Sequence, residues 1–184
     1  MAMSKERNLL WIDLEMTGLD ANIDVVLEIA SIITDSQLNF IAQGPALVIH
    51  QPEVMLALMN EQVHKIHAKS GLIDLVKNST ISLEQAEQQT VDFLVQQAQK
   101  ASLLLAGNTV WQDRSFLVKY MPRVMEYLHY RLIDVSSIKE LMRHWYPKNP
   151  HIRFKKNDNH RALEDVQGSI EELKHYRKYF FVKE

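Results

Sequence analysis

The sequence predicts an α/β protein: a mixed sheet of three N-terminal antiparallel strands plus parallel strands, flanked by helices. Three observations carry that expectation. Short apolar runs rich in β-branched residues fill the first fifty positions with only turn-length gaps between them. Beyond Pro52 the apolar spacing becomes helical. Two later apolar runs, at 103–106 and 131–135, alternate with helical segments, the pattern of parallel strands joined through helices.

Taken in order, Leu9, Leu10, Trp11 and Ile12 form a compact apolar run ending at Asp13, which reads as a mostly buried strand. Thr17-Gly18-Leu19-Asp20 supplies turn chemistry. Residues 25–34 are β-rich, interrupted only by Glu28, Ala30 and Ser31, and make a second strand. A third is expected over 40–50, with Gly44-Pro45 marking a bulge or an edge. Pro52 suits a first helical turn, and Val54, Leu58 and Met59 supply an apolar stripe behind it. Ser82-Leu83-Glu84-Gln85 fits a capping box, followed by Leu83, Ala86, Phe93 and Leu94 on one helical face. The run at 103–106 ends at Gly107 as a buried strand, and 112–121 is helical and stops before Pro122. Residues 131–135 make another brief strand, after which Ser136 caps a helix through Trp145. The last helix, near 161–180, buries Leu163, Val166, Ile170 and Leu173.

Composition narrows the function classes. A chain of 184 residues is of the size of one domain, and 46% hydrophobic with 24% charged residues is an ordinary globular balance, not that of a disordered tail. A net charge of −2 excludes a strongly basic protein that coats duplexes. One segment is locally basic: 146–159 is a long loop carrying Pro147, Pro150, Arg153, Lys155 and Lys156 up to Asn159. With no cysteine, disulfides, thiolate-bound zinc, iron–sulfur clusters and thiol catalysis are excluded together. Oxygen and imidazole ligands remain. None of the five glycines forms a dinucleotide-binding fingerprint, a phosphate loop or a nucleophile elbow. Absence of a membrane-length apolar run and of a hydrophobic signal core in residues 1–8 makes a cytoplasmic address the expectation.

The chemistry concentrates in a few carboxylates. Asp13 and Glu15 are two apart, so on a strand they share one face. They terminate the most apolar strand of the N-terminal region, where two like charges near low dielectric need a compensating cation. Asp113 follows a similar apolar strand and opens a helix. His160 and Asp165 stand five apart at the start of the last helix. His129 and Asp134 share that spacing, but His160 follows a polar basic loop, the accessible kind of junction where a proton-exchanging histidine belongs. Each residue alone is equally well explained as a solvated carboxylate, a helix-start aspartate or a surface histidine. Together, four carboxylates and one histidine at the ends of buried elements point to hard divalent cations and metal-assisted phosphodiester hydrolysis.

These residues carry a family resemblance. Asp13-Leu14-Glu15-Met16-Thr17-Gly18-Leu19, the run from Asn108 to Asp113, and His160 with Asp165 resemble the exonuclease motifs of the DEDD superfamily, histidine subtype. The longer run from Trp11 to Asp20, with His129-Tyr130-Arg131 and Asp134-Val135-Ser136, is similar to the oligoribonuclease family within it. That resemblance spans essentially the whole chain. It implies an RNase H-like fold in one exonuclease domain over residues 1–184, a homodimer, and 3′→5′ release of nucleoside 5′-monophosphates from very short RNA, diribonucleotides above all. It implies that Asp13, Glu15, Asp113 and Asp165 hold two divalent ions, Mg²⁺ or Mn²⁺, that His160 is the general base on the attacking water, and that Tyr130 contributes to activity. By the same resemblance Leu19 wedges between bases, Arg131 and Ser136 meet the 5′ end, and His67 and Asn108 contact substrate.

The sequence departs from the family at two points. Gln62 stands where relatives often carry a base-stacking aromatic residue, and Trp111 stands where a small residue is common. Two other readings remain at this level: a related exonuclease acting on longer RNA or DNA, and a non-catalytic module that binds dinucleotides. The modest positive charge disfavours a long nucleic-acid track, which gains affinity from many phosphate contacts. Retention of all four carboxylates disfavours the module, since without cations that cluster repels a phosphate.

Overall fold

The computed structural model describes residues 6–155 and 160–182. Its centre is a five-stranded sheet in the order β3-β2-β1-β4-β5. β1 (Leu9–Met16), β2 (Val26–Thr34) and β3 (Phe40–Val48) form the antiparallel meander, and β4 (Leu103–Gly107) and β5 (Leu128–Asp134) add to β1 in parallel. Every residue of β2 is buried, as expected for a strand covered on both faces.

Strand alternation divides the core in two. Leu10, Ile12, Leu14, Ile29, Ile33 and Leu105 point to one face, with α4 (Leu83–Gln97) and α5 (Val110–Tyr120). Leu9, Trp11, Ala30, Ile32 and Ala106 point to the other, against α7 (Val135–Trp145) and α8 (Ala162–Phe180). Trp11 is fully buried there and its indole donates to Thr34 Oγ1 at 3.0 Å. α8 packs over β1 and β2 through Ala162, Val166, Ile170, Leu173 and Tyr176, a helical stripe that brings its first turn above the end of β1.

Edge strand β3 carries Gly44-Pro45, and its pairing to β2 is interrupted between Ala30 and Ile32. Gly44 is required by close approach: a Cβ there would lie 2.2 Å from Ser31 Oγ and 2.8 Å from the Phe93 ring. The capping box of α4 forms as read, Ser82 Oγ accepting from Gln85 N and Gln85 Oε1 accepting from Ser82 N.

Several details differ from the sequence reading. β1 runs through Asp13 to Met16, and β3 ends at Val48. The segment after Pro52 breaks into α1 (Glu53–Ala57), α2 (Glu61–Lys69) and α3 (Leu72–Asn78). Leu56 and Met59 face the core there, while Val54 and Leu58 are exposed, because one short turn cannot keep a longer stripe in phase. α6 (Pro122–Met125) follows directly on α5. β5 begins at Leu128, three residues earlier than its apolar run, since one side of an edge strand faces solvent. α7 is capped by Asp134, whose carboxylate accepts from Ser136 N at 2.8 Å. Leu163 is only partly buried. Of the basic loop, residues to Lys155 are described, with a 3-10 turn at Pro150–Ile152; Lys156 and Asn159 lie outside the described residues. Among the described residues no helix is long and apolar enough to cross a membrane.

Candidate active site

The site forms where β1 outlasts β4. Pairing between them stops at Trp11 opposite Ala106, so the half of β1 carrying Asp13 and Glu15 projects beyond its parallel neighbour. Both carboxylates share the face of Leu9 and Trp11, the face that α8 covers. Asp113, in the first turn of α5, reaches β1 from that open side: its Oδ1 accepts from Leu14 N at 2.8 Å. Asp165 sits in the first turn of α8, its amide donating to Arg161 O at 3.0 Å. His160 immediately precedes this helix, exposed, with φ of 49°. Ligand atoms of Glu15, His160 and Asp165 all lie within 4.8 Å of one another.

Electrostatics marks the same place. Glu15 is pushed up to about 8, first by burial and then by the charges of Asp165, Glu28 and Asp113, against a weaker opposing effect of Arg161. Asp113 is pushed up to about 7 by burial, with Asp134 adding and the amides of Leu14 and Asp113 itself opposing. Two acids held near neutrality in one crevice are a recurrent mark of a functional site. The nearby cation is already engaged: Arg161 grips buried Glu28, the cross-strand partner of Glu15, with Nη2 to Oε1 at 2.7 Å and Nε to Oε2 at 3.1 Å. Donor chemistry here is mainly carboxylate oxygen, which suits a hard divalent cation, with one imidazole beside it.

His67, on α2, completes the wall behind Glu15. It is 3% exposed, its Nε2 meets Met16 O at 2.9 Å, and its Nδ1 lies 3.8 Å from Glu15 Oε2 with no hydrogen-bond partner among the described residues. Burial lowers its pKa.

The turn after β1 carries Leu19 and is braced by Asp24. Asp24 accepts from Thr17 Oγ1 at 3.0 Å and from Asp20 N at 2.9 Å, and a Cβ on Gly18 would lie 2.4 Å from the Asp24 carboxylate. Gln112 donates to Leu19 O, tying this turn to α5. Leu19 itself is 71% exposed, a position that burial does not explain. Trp111 is also exposed, on the first turn of α5.

Asn108 and Ser136 belong to a polar network beside the site. Asn108 Nδ2 donates to Ser169 Oγ at 2.9 Å and Glu172 Oε2 at 3.0 Å, and its Oδ1 accepts from Ser136 Oγ at 3.1 Å. Asp134 Oδ1 accepts from Thr109 N at 3.0 Å as well as from Ser136 N. Glu172, 1% exposed, also accepts from Tyr176 Oη at 2.9 Å and pairs with Lys139 Nζ at 2.7 Å. The network fixes α7, α8 and the β4–α5 turn to one another.

Of the residues singled out in the sequence, Glu15, His160 and Asp165 converge, Asp113 is hydrogen-bonded to the strand segment beside Glu15, Asp13 shares the strand face of Glu15, and His67 lies behind Glu15. Tyr130 and Arg131 do not join them within this chain. They stand exposed on edge strand β5, separated from β1 by β4, with the Arg131 guanidinium 5.2 Å from the Tyr130 ring. Sequence reasoning missed Glu28, Arg161 and Glu172 as partners. A charge inside the all-buried β2 was the available signal for Glu28, because buried carboxylates are almost always paired.

The chain matches the exonuclease family RNase_T over residues 10–173. It is 49% identical over 180 residues to an oligoribonuclease of Dichelobacter nodosus, covering 98% of each chain. It is also 49% identical to the human mitochondrial oligoribonuclease, covering 98% of this chain and 76% of that one. Among solved structures, Escherichia coli exonuclease I in its zinc-bound complex with single-stranded DNA superposes with a TM-score of 0.68 at 15% identity, over 96% of this chain and 41% of the other. That likeness is one of fold, and this chain spans about two-fifths of the exonuclease I length. A crevice of paired carboxylates on a mixed sheet, a family match over most of the chain and near-half identity to full-length relatives agree: the chain belongs to the oligoribonuclease family of exonucleases.

Proposed function

We propose that the chain is a metal-dependent 3′→5′ exoribonuclease that hydrolyses very short RNA, diribonucleotides above all, to nucleoside 5′-monophosphates. The convergence of Glu15, His160 and Asp165 within 4.8 Å, beside buried Asp113, is the observation that carries this reading. Asp13, Glu15, Asp113 and Asp165 would hold two divalent ions, Mg²⁺ or Mn²⁺. Such ions supply Lewis-acid stabilisation of charge at phosphorus and make water a better nucleophile at neutral pH. The protein's own groups do the rest. His160, exposed at the mouth, takes the proton of the attacking water, for which an imidazole is suited near neutral pH. Leu19 would wedge between bases, Arg131 and Ser136 would meet the 5′ end, and Tyr130 would contribute to activity.

Activity in the cytoplasm as a homodimer completes the proposal. Support for the dimer comes from β5, an edge strand beside a groove of about 700 Å³ lined by Leu104, Leu132, Ile133, Ile138 and Phe181. In such a dimer the exposed Tyr130 and Arg131 of one protomer are free to serve the partner's substrate.

Purified protein incubated with 5′-labelled RNA of two to seven nucleotides tests the reading. Fast metal-dependent loss of the dinucleotide, slowing as length grows, is expected. Equal or better cleavage of the longest RNA overturns the short-substrate assignment. Binding without cleavage overturns the enzymatic one.

A further inference from the structure

We infer that Glu28 and Arg161 are a positioning pair that sets His160 and Asp165 against Glu15. This rests on the catalytic reading above and deepens it. His160 has a left-handed backbone, φ 49°, which a non-glycine residue keeps only where its surroundings over-determine it. What determines it is the next residue. Arg161 places its fork on Glu28, Nε at 3.2 and 3.1 Å from the two carboxylate oxygens and Nη2 at 2.7 Å from Oε1. Ala162 N donates to Oε2 of the same carboxylate at 3.2 Å. Glu28 thus acts as a cap for α8 supplied from across the fold, a role Arg161 at the N-cap position has no acceptor to fill.

The geometry indexes three site residues to this one contact. His160 is one residue before Arg161, Asp165 hangs from Arg161 O by its amide, and Glu28 lies directly opposite Glu15 in the β1–β2 ladder. Glu28 is 3% exposed and is the third residue of an all-buried core strand, so the anchor is firmly held. The pair also lets a fifth carboxylate stand beside the cluster, since Glu28 without Arg161 would oppose Glu15 as an uncompensated like charge. Neither side chain of the pair needs to touch substrate.

The test compares Arg161→Lys, which keeps the charge but loses the planar fork, with Glu28→Gln and the double variant. Readouts are kcat and KM on a diribonucleotide, amide hydrogen exchange at residues 160–165, and Tm. Misplacing a catalytic group by a fraction of its reach costs about 10- to 100-fold in kcat, with KM held within about threefold. Exchange at 160–165 is expected to quicken by about tenfold or more while β1 and β4 keep their protection. The double variant should be no worse than the poorer single, because both remove one interaction. Unchanged kcat and unchanged exchange in a folded variant overturn the inference. So does loss of activity that merely follows a fall in Tm with exchange quickened throughout the sheet, which would make the pair a general stabiliser. If wild-type protein leaves RNA intact while the variants still free residues 160–165, the function reading fails and the positioning role stands.

Discussion

Asp113 Oδ1 accepts the Leu14 amide proton at 2.8 Å, so a carboxylate from α5 is hydrogen-bonded to the one backbone amide between Asp13 and Glu15. This single bond joins two positions ninety-nine residues apart and holds Asp113 against the strand that carries Asp13 and Glu15. The hydrogen bond to β1 can be tested apart from the proposed role of Asp113 as a charged metal ligand.

Asp113→Asn should separate the two. The amide oxygen of Asn can still accept from Leu14, so Tm should move by only a few degrees, while kcat on a diribonucleotide should fall at least about 100-fold with loss of the charge. Parallel thermal melts and steady-state kinetics check this. A folded Asp113→Asn variant with near-normal kcat would remove Asp113 from the charged site.

The acidic crevice predicts a sign for the pH dependence of the metal-free protein. Glu15 and Asp113 are raised in the folded state, to about 8 and about 7, above their ordinary 4.5 and 3.8. Over that window the folded state holds more protons than the unfolded one, so their contribution to stability falls as pH rises. In chelator, Tm should be lower at pH 8 than at pH 6. Adding Mn²⁺ should raise Tm more at pH 8 and release protons on binding, which calorimetry in buffers of different ionisation enthalpy reads directly. A Tm that rises with pH in chelator contradicts this assignment.

Glu172 tests the network under the site. It is buried with Asn108, Tyr176 and Lys139 as partners, and the Tyr176 pKa is raised by burial and by this contact. Removing one member strands the others, so Glu172→Ala should cost roughly 3–5 kcal/mol. For a chain of this size that is a fall in Tm of about 6–20 °C. Glu172→Gln, which keeps the shape and part of the hydrogen bonding, should cost less than half as much.

Gly44→Ala should destabilise by about 1–3 kcal/mol through overpacking. Its Cβ would fall 2.2 Å from Ser31 Oγ on β2 and 2.8 Å from the ring of Phe93 on α4. Urea unfolding measures it, and an unchanged midpoint would mean that β3 yields at its edge.

Much of the fold could be read from local pattern, and the exceptions have physical causes. The shared face of Asp13 and Glu15 follows from a period of two, and α8 from a stripe through Val166, Ile170 and Leu173. The helices after Pro52 escaped because a five-residue turn shows no stable periodicity, which left Val54 and Leu58 on one apolar stripe with Met59 although both are exposed. β5 was read short because only its inner half is apolar, and Asp134 rather than Ser136 caps α7 because the choice between adjacent cap formers is settled by backbone direction. At the site, the carboxylates announced themselves by lying at the ends of apolar strands. Glu28 and Arg161, 133 residues apart, did not, since nothing local in either segment names its partner.

Hydrolysis of a 5′-labelled diribonucleotide by the wild-type protein and by Glu15→Gln, each with chelator and then with Mg²⁺ or Mn²⁺ restored, tests the central claim most directly. The carboxylate crevice predicts no cleavage by wild type in chelator, full recovery when the ion returns, and no recovery for Glu15→Gln. Cleavage that persists in chelator, or that survives in Glu15→Gln, would contradict it.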